Sequence, residues 1–165
     1  MNQRLIPKKV FFTSGVGRHS EYLESFELAL RDAGIEKFNL VTVSSILPPK
    51  CKIVPKEEGL HELSPGEIVF AVLSRNASNE QHRVVSTAVG CAIPKNPDRQ
   101  HGYLSEHHSF GESKDDAAKY AEKLAVSMYS TWTKEEPERE TSIARSAEVE
   151  KDTWTTVVSA AVFVL

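Results

Sequence analysis

Two adjacent serines, Ser44 and Ser45, stand between a β-prone run at residues 38–43 and the pair Pro48-Pro49. Prolines lack an N–H and push the preceding residue out of helical backbone. No strand ladder therefore continues through this stop, and Leu47 is held extended. Two hydroxyls are thereby held at a strand end, where a strained peptide bond can sit beside a nucleophile. A strand followed by a polar turn fits the same residues. Three more side chains could do chemistry. Glu106 follows the apolar lead-in Tyr103-Leu104, where partial burial would raise its pKa and let it carry a proton at neutral pH; a lone glutamate is also an ordinary surface residue. Asn39, opening the run before the serines, is by itself a strand-end hydrogen-bonding residue. Glu27 lies beside the apolar positions of a helix, as a binding carboxylate or as a solvated flank.

Other patterns carry less. Gly15-x-Gly17 after a strand suggests a dinucleotide loop, but Ser20 holds the third glycine position and no second strand ends in a ribose-binding acid. A glycine-rich turn is the better reading. His101, His107 and His108 raise a metal site; adjacent strand histidines point to opposite faces, so none is expected. Cys51 and Cys91 are far apart, without Cys-x-x-Cys spacing, and read as free thiols of a reduced, cytoplasmic protein. Cys51 has no matched histidine and acid for thiol catalysis, and Cys91 reads as core.

These residues need elements to hold them. A first strand is expected at 8–13, broken by 14–17, then a helix at 20–33 burying Tyr22, Phe26, Ala29, Leu30 and Ala33 and stopped by Gly34. After the serine strand come an extended piece at 51–55, a polar loop at 56–65, and strands at 67–75 and 83–93 joined by a polar connection. The second of these is apolar enough to be central in a sheet. A strand at 100–110 precedes a helix at 113–132, capped by Ser113 and burying Ala117, Tyr120, Ala121, Leu124 and Met128. Residues 141–150 and 154–165 read as a closing hairpin. The order is α+β, with helices outside mainly antiparallel sheet.

At 165 residues with 40% hydrophobic and 26% charged side chains, the chain suits one soluble domain. A net charge of −3 gives no reason to expect nucleic acid or an anionic membrane as partner. No targeting segment or membrane span is apparent.

The heptad Val43-Ser44-Ser45-Ile46-Leu47-Pro48-Pro49, with Asn39-Leu40 before it and residues 26–30 and 32–35 upstream, resembles the pyruvoyl-dependent arginine decarboxylases. Residues 89–95, ending Ile93-Pro94-Lys95, and 102–106 extend the match over nearly the whole chain. The resemblance implies a four-layer αββα sandwich of the histidine/arginine decarboxylase type, one domain over 1–165. It implies self-cleavage between Ser44 and Ser45 into a β chain, 1–44, and an α chain, 45–165. Ser45 would attack the Ser44 carbonyl and end as a covalent pyruvoyl cofactor that forms a Schiff base with substrate. Asn39 would assist processing, Glu106 would donate the proton that replaces CO₂, and Glu27 would bind the arginine guanidinium. The family typically has aspartate at that last position, so glutamate here is a departure; His107 and His108 are another. The glycine-rich loop would lie near the substrate pocket, and assembly as a trimer or dimer of trimers is implied. The same chemistry on another amino acid, or an uncleaved non-enzymatic subunit of this fold, are the alternatives.

Overall fold

A computed structural model of the chain describes residues 4–165. Strand β1 (Lys9–His19) runs without interruption through the expected break at 14–17. Its glycines serve packing instead of a turn. Helix α1 (Tyr22–Ala33) crosses so close that a Cβ on Gly15 would meet the Ala29 carbonyl, and one on Gly17 the Ser25 carbonyl. The helix ends as expected, with Gly34 in the left-handed region at φ 78°. Its buried face is Ser25, Ala29 and Ala33, with Phe26 and Leu30 half-buried. Tyr22 was expected in that face but is exposed, its ring against Trp154 at 4.9 Å between centroids.

The remaining elements are β2 (Asn39–Thr42), β3 (Ile46–Leu47), β4 (Lys52–Ile53), α2 (Lys56–His61), β5 (Ile68–Ser78), β6 (Val84–Ile93), β7 (Gly102–Phe110), α3 (Lys114–Thr133), β8 (Arg139–Glu148) and β9 (Trp154–Val164). The short helix α2 replaces the expected polar loop, and its Gly59 lies over the Phe11 ring. Ser113 caps α3, its hydroxyl accepting from the Asp116 N–H. The buried stripe of α3 is Ala117, Ala121, Ala125 and Tyr129, a strict i+4 row. Tyr120, expected inside, is exposed, and Leu124 and Met128 are half-buried. Small residues dominate that row because Gly90 of β6 lets the helix backbone approach at Ala121.

Two sheets result, ordered β2-β5-β9-β1-β4 and β3-β7-β6-β8. They are antiparallel except for β1 with β4 and β2 with β5. The expected closing hairpin does not form: β8 pairs with β6 in the second sheet, while β9 sits centrally in the first between β5 and β1. Every residue of β9 after Trp154 is buried, as a strand covered on both faces requires. α1 and α2 cover the outer face of the first sheet and α3 that of the second, giving the layers α-β-β-α. Between the sheets lies an apolar core of Val10, Leu47, Val72, Val89, Cys91, Leu104, Ala161 and Phe163. That core gives way to a hydroxyl band, where Thr87 meets Ser159 at 2.9 Å.

Candidate active site

The segment that carries the serines changes sheets. β2 runs parallel to β5, and the Val43 N–H still donates to the Ala71 carbonyl at 3.0 Å. Two residues later the Ser45 carbonyl accepts from the Leu104 N–H at 2.7 Å, and Ile46 and Leu47 pair with Tyr103 and Gly102 of β7. The Ser44–Ser45 peptide is thus the crossing between the two sheets. It is fixed on both sides and free of ladder in the middle. Leu47 anchors it in the inter-sheet core, and Pro48-Pro49 then turn the chain through Lys50 at φ 65°. Ser44 is exposed and Ser45 half-buried. An open apolar cleft of about 280 Å³, lined by Val43, Ser44, Ile46, Phe70 and Phe163 among others, abuts the crossing.

Glu106 stands two residues beyond Leu104 on β7. Strand alternation puts it on the same face as Leu104. Its neighbours turn the other way: the Ser105 hydroxyl donates to the Ala121 carbonyl at 2.5 Å, and His107 sits against the Tyr120 ring with Nε2 2.7 Å from Glu112 Oε2. The Glu112 carboxyl is held below the usual range, first by the Ser109 hydroxyl and then by His107. Past Leu104 the outer edge of β7 has no strand neighbour among the described residues. Partial burial raises the Glu106 pKa, with the His108 charge opposing. A carboxyl of this kind keeps its proton to higher pH than an ordinary glutamate.

Asn39 and Glu27 lie elsewhere. The Asn39 N–H donates to the Glu67 carbonyl and its side-chain amide to the Gly66 carbonyl, both at 2.8 Å. Extended strand of roughly 13 Å separates it from Val43. Glu27, on α1, accepts from Arg31 Nε at 2.7 Å, one helical turn on. Phe26 and Asn39 border the same open groove of about 780 Å³ beside β2, where the Arg75 guanidinium stacks on Phe26 at 3.6 Å. Within one chain, therefore, Ser45, with Ser44 beside it, is bonded to β7 two residues before Glu106, while Asn39 borders the groove on β2 and Glu27 pairs with Arg31 on α1. The sequence reading had no place for the Arg31 partnership or for the His108 charge. The signals were there, as i, i+4 spacing on a helix and i, i+2 spacing on a strand.

The histidines do not gather. His101 stacks on Trp132 at 4.1 Å, His107 faces α3 and His108 the opposite side, and no group of three metal-binding side chains occurs among the described residues. Cys51 and Cys91 are unpaired, each pushed up to about 12 by burial. No helix among the described residues is long and apolar enough to cross a membrane.

Comparison with known proteins assigns this arrangement to a family. Residues 9–165 match the family model for pyruvoyl-dependent arginine decarboxylase. The chain is 66% identical over 166 residues to the pyruvoyl-dependent arginine decarboxylase of Methanocella arvoryzae and 63% identical to pyruvoyl-dependent arginine decarboxylase 1 of Methanosarcina acetivorans, with both chains covered completely in each case. A probable pyruvoyl-dependent arginine decarboxylase of Chlorobium limicola is 55% identical, with 95% of this chain and 97% of that protein covered. On these matches, with Ser44 and Ser45 at the crossing between the two sheets of an αββα sandwich, this chain belongs to the pyruvoyl-dependent arginine decarboxylase family.

Proposed function

We propose that the protein converts L-arginine to agmatine and CO₂, using a pyruvoyl group that it makes from Ser45. The observation that carries this reading is the Ser44–Ser45 crossing, pinned by Leu104 beside Glu106. Processing begins when Ser45 Oγ attacks the Ser44 carbonyl, which turns the amide into an ester. β-Elimination then releases the Ser44 carboxylate and leaves dehydroalanine at the head of the 45–165 chain. Water replaces its nitrogen, ammonia leaves, and the pyruvoyl remains. The residues present suit such a group: the Ser45 carbonyl, which survives processing, is already held by the Leu104 N–H, and the apolar cleft at Ser44 gives the cut end room to leave.

The pyruvoyl carbonyl supplies the electrophile that draws off the electrons released as the carboxylate departs. The chain's own residues do the rest. Glu106 holds a proton and gives it to the substrate carbon that lost CO₂. Glu27 binds the guanidinium in place of Arg31; an exposed i, i+4 pair is weak enough for exchange. Asn39, held by β2 and the Gly66 carbonyl about 13 Å of strand from the crossing of its own chain, and Glu27, on α1, act on the site of a neighbouring copy. We infer assembly as a trimer or dimer of trimers, as the family resemblance implies, with each site shared between neighbours, and action in the cytoplasm, where two free thiols stay reduced. Exchange Ser45→Ala tests the reading. The variant should remain one uncut chain and release no CO₂ from carboxyl-labelled arginine; turnover at the unmodified rate would refute it.

A further inference from the structure

Cleavage makes a group that the uncut chain lacks, a carboxylate on Ser44, and β5 holds an unpaired cation beside the path open to it. The Arg75 guanidinium stacks on the Phe26 ring at 3.6 Å and lies 4.9 Å from the Tyr22 ring. Stacking uses the faces of the group and leaves its N–H edge unoccupied. Arg75 Nε is buried there without a hydrogen-bond partner. Among the described residues, the arginine ion pairs use Arg18, Arg31, Arg83 and Arg145, and none uses Arg75. A buried donor left unpaired is costly, and a carboxylate is the acceptor that matches a guanidinium edge.

The strand register sets where the cut end can go. β2 pairs with β5 from Asn39 opposite Ile68 to Thr42 opposite Ala71, and the Val43 N–H adds one bond to the Ala71 carbonyl. The return bond of a parallel ladder, from the Leu73 N–H to the Val43 carbonyl, is not made. The chain turns off at this point because the Ser45 carbonyl is held by Leu104 of the other sheet. Past Ala71, this edge of β5 has no strand neighbour among the described residues. Two more residues of the same ladder would set Ser44 opposite Leu73. Leu40, Ala71 and Leu73 pack under α1, so alternation puts Ser44 and Arg75 on that face as well. Arg75 starts about 7 Å beyond Leu73, and its side chain lines one open groove with Phe26, Thr42 and Leu73. It lies about 23 Å along β5 from Ile68, the partner of Asn39, at the other end of that groove.

We propose that Arg75 is a carboxylate-binding site for the chain's own cut end. On the reading that the chain cleaves itself, the freed end of β2 leaves the crossing, extends along β5, and places the Ser44 carboxylate on the Arg75 guanidinium. The Leu73 N–H gains the Val43 carbonyl in the same movement. Capture draws the end of the 1–44 chain away from the new head of the 45–165 chain and holds the two cut ends apart.

Carboxypeptidase digestion of the native, processed protein reads the captured end directly. With Arg75 present, the 1–44 chain should keep Ser44 and Val43. In processed Arg75→Gln it should lose them at least about 10-fold faster by intact mass, the worth of a hydrogen bond to a charged group. A second readout needs no substitution at Arg75. The Leu73 amide should exchange hydrogen at least about 10-fold more slowly in the processed protein than in uncut Ser45→Ala, because it has gained a partner. Equal trimming with and without Arg75, resistance in both, or a Leu73 amide that exchanges alike before and after cleavage would overturn the capture. The masses separate this from the reading beneath it. A wild-type chain that stays in one piece removes cleavage and capture together; two chains with Ser44 unprotected remove the capture alone.

Discussion

Glu106 is fixed from both sides by its neighbours in sequence, Ser105 and His107, which are tied to α3 and to the turn before it, leaving the carboxyl one direction to point. Removing the acid should show this. Glu106→Gln should cleave normally and lose about 10²–10⁴-fold in turnover. Because burial raises the Glu106 pKa, the protonated, donating form persists above the ordinary carboxylate range. Activity should fall as pH rises through that raised value, and the limb should be absent from whatever activity Glu106→Gln retains. The same shift has a stability sign: the folded state holds this proton more tightly than the unfolded chain. Its contribution is therefore complete at low pH and is lost as pH rises through the folded value. Glu27 is a binding test. Replacing it with alanine should raise KM for arginine by about 10–100-fold, the worth of a hydrogen bond to a charged group, with kcat little changed. An unchanged KM would remove the guanidinium assignment.

At the scale of elements, the helices lie close to the sheets because glycine permits it. A Cβ on Gly90 would strike the α3 backbone at Ala121 and Glu122, which cannot step aside as a flexible side chain can. Gly90→Ala should destabilise the fold by about 1–3 kcal/mol in urea unfolding, through overpacking. Much of this scale was legible. A glycine C-cap and the Ser113 cap bounded the helices well, because each acts through backbone chemistry local to the sequence. What failed depended on distant partners. Gly15 and Gly17 look like a turn until a helix is known to lie on them. β8 and β9 look like a hairpin because residues 151–153 resemble a tight turn. The unbroken burial of β9 belongs to a central strand, whereas β8 has an exposed, charged edge of its own.

For the whole molecule, the separation of Asn39 from the Ser44–Ser45 crossing of its own chain is the informative result. Ser45 and Glu106 stood out in the sequence as candidates for chemistry, but no sequence spacing reveals that β2 carries Asn39 away from the crossing. If neighbouring copies complete each site, a binding variant and a proton-donor variant should rescue each other at arginine concentrations well below the raised KM, where each alone is nearly inactive. Glu27→Ala mixed with Glu106→Gln, unfolded and refolded together, should recover roughly a quarter of full activity, as random assembly through a heterologous interface requires. No recovery would mean that each chain works with its own residues. Exposed Val41 on β2 and Ile68 on β5 flank the groove that such a neighbour would cover.

The activity expected of Ser45, Glu106 and Glu27 presupposes that the chain cuts itself at the sheet crossing. Intact-mass spectrometry of the denatured protein measures that directly. Two chains, 1–44 and 45–165, with the larger bearing a pyruvoyl in place of its first serine, are expected. A single uncut chain that nonetheless turns arginine into agmatine would contradict the mechanism at its first step.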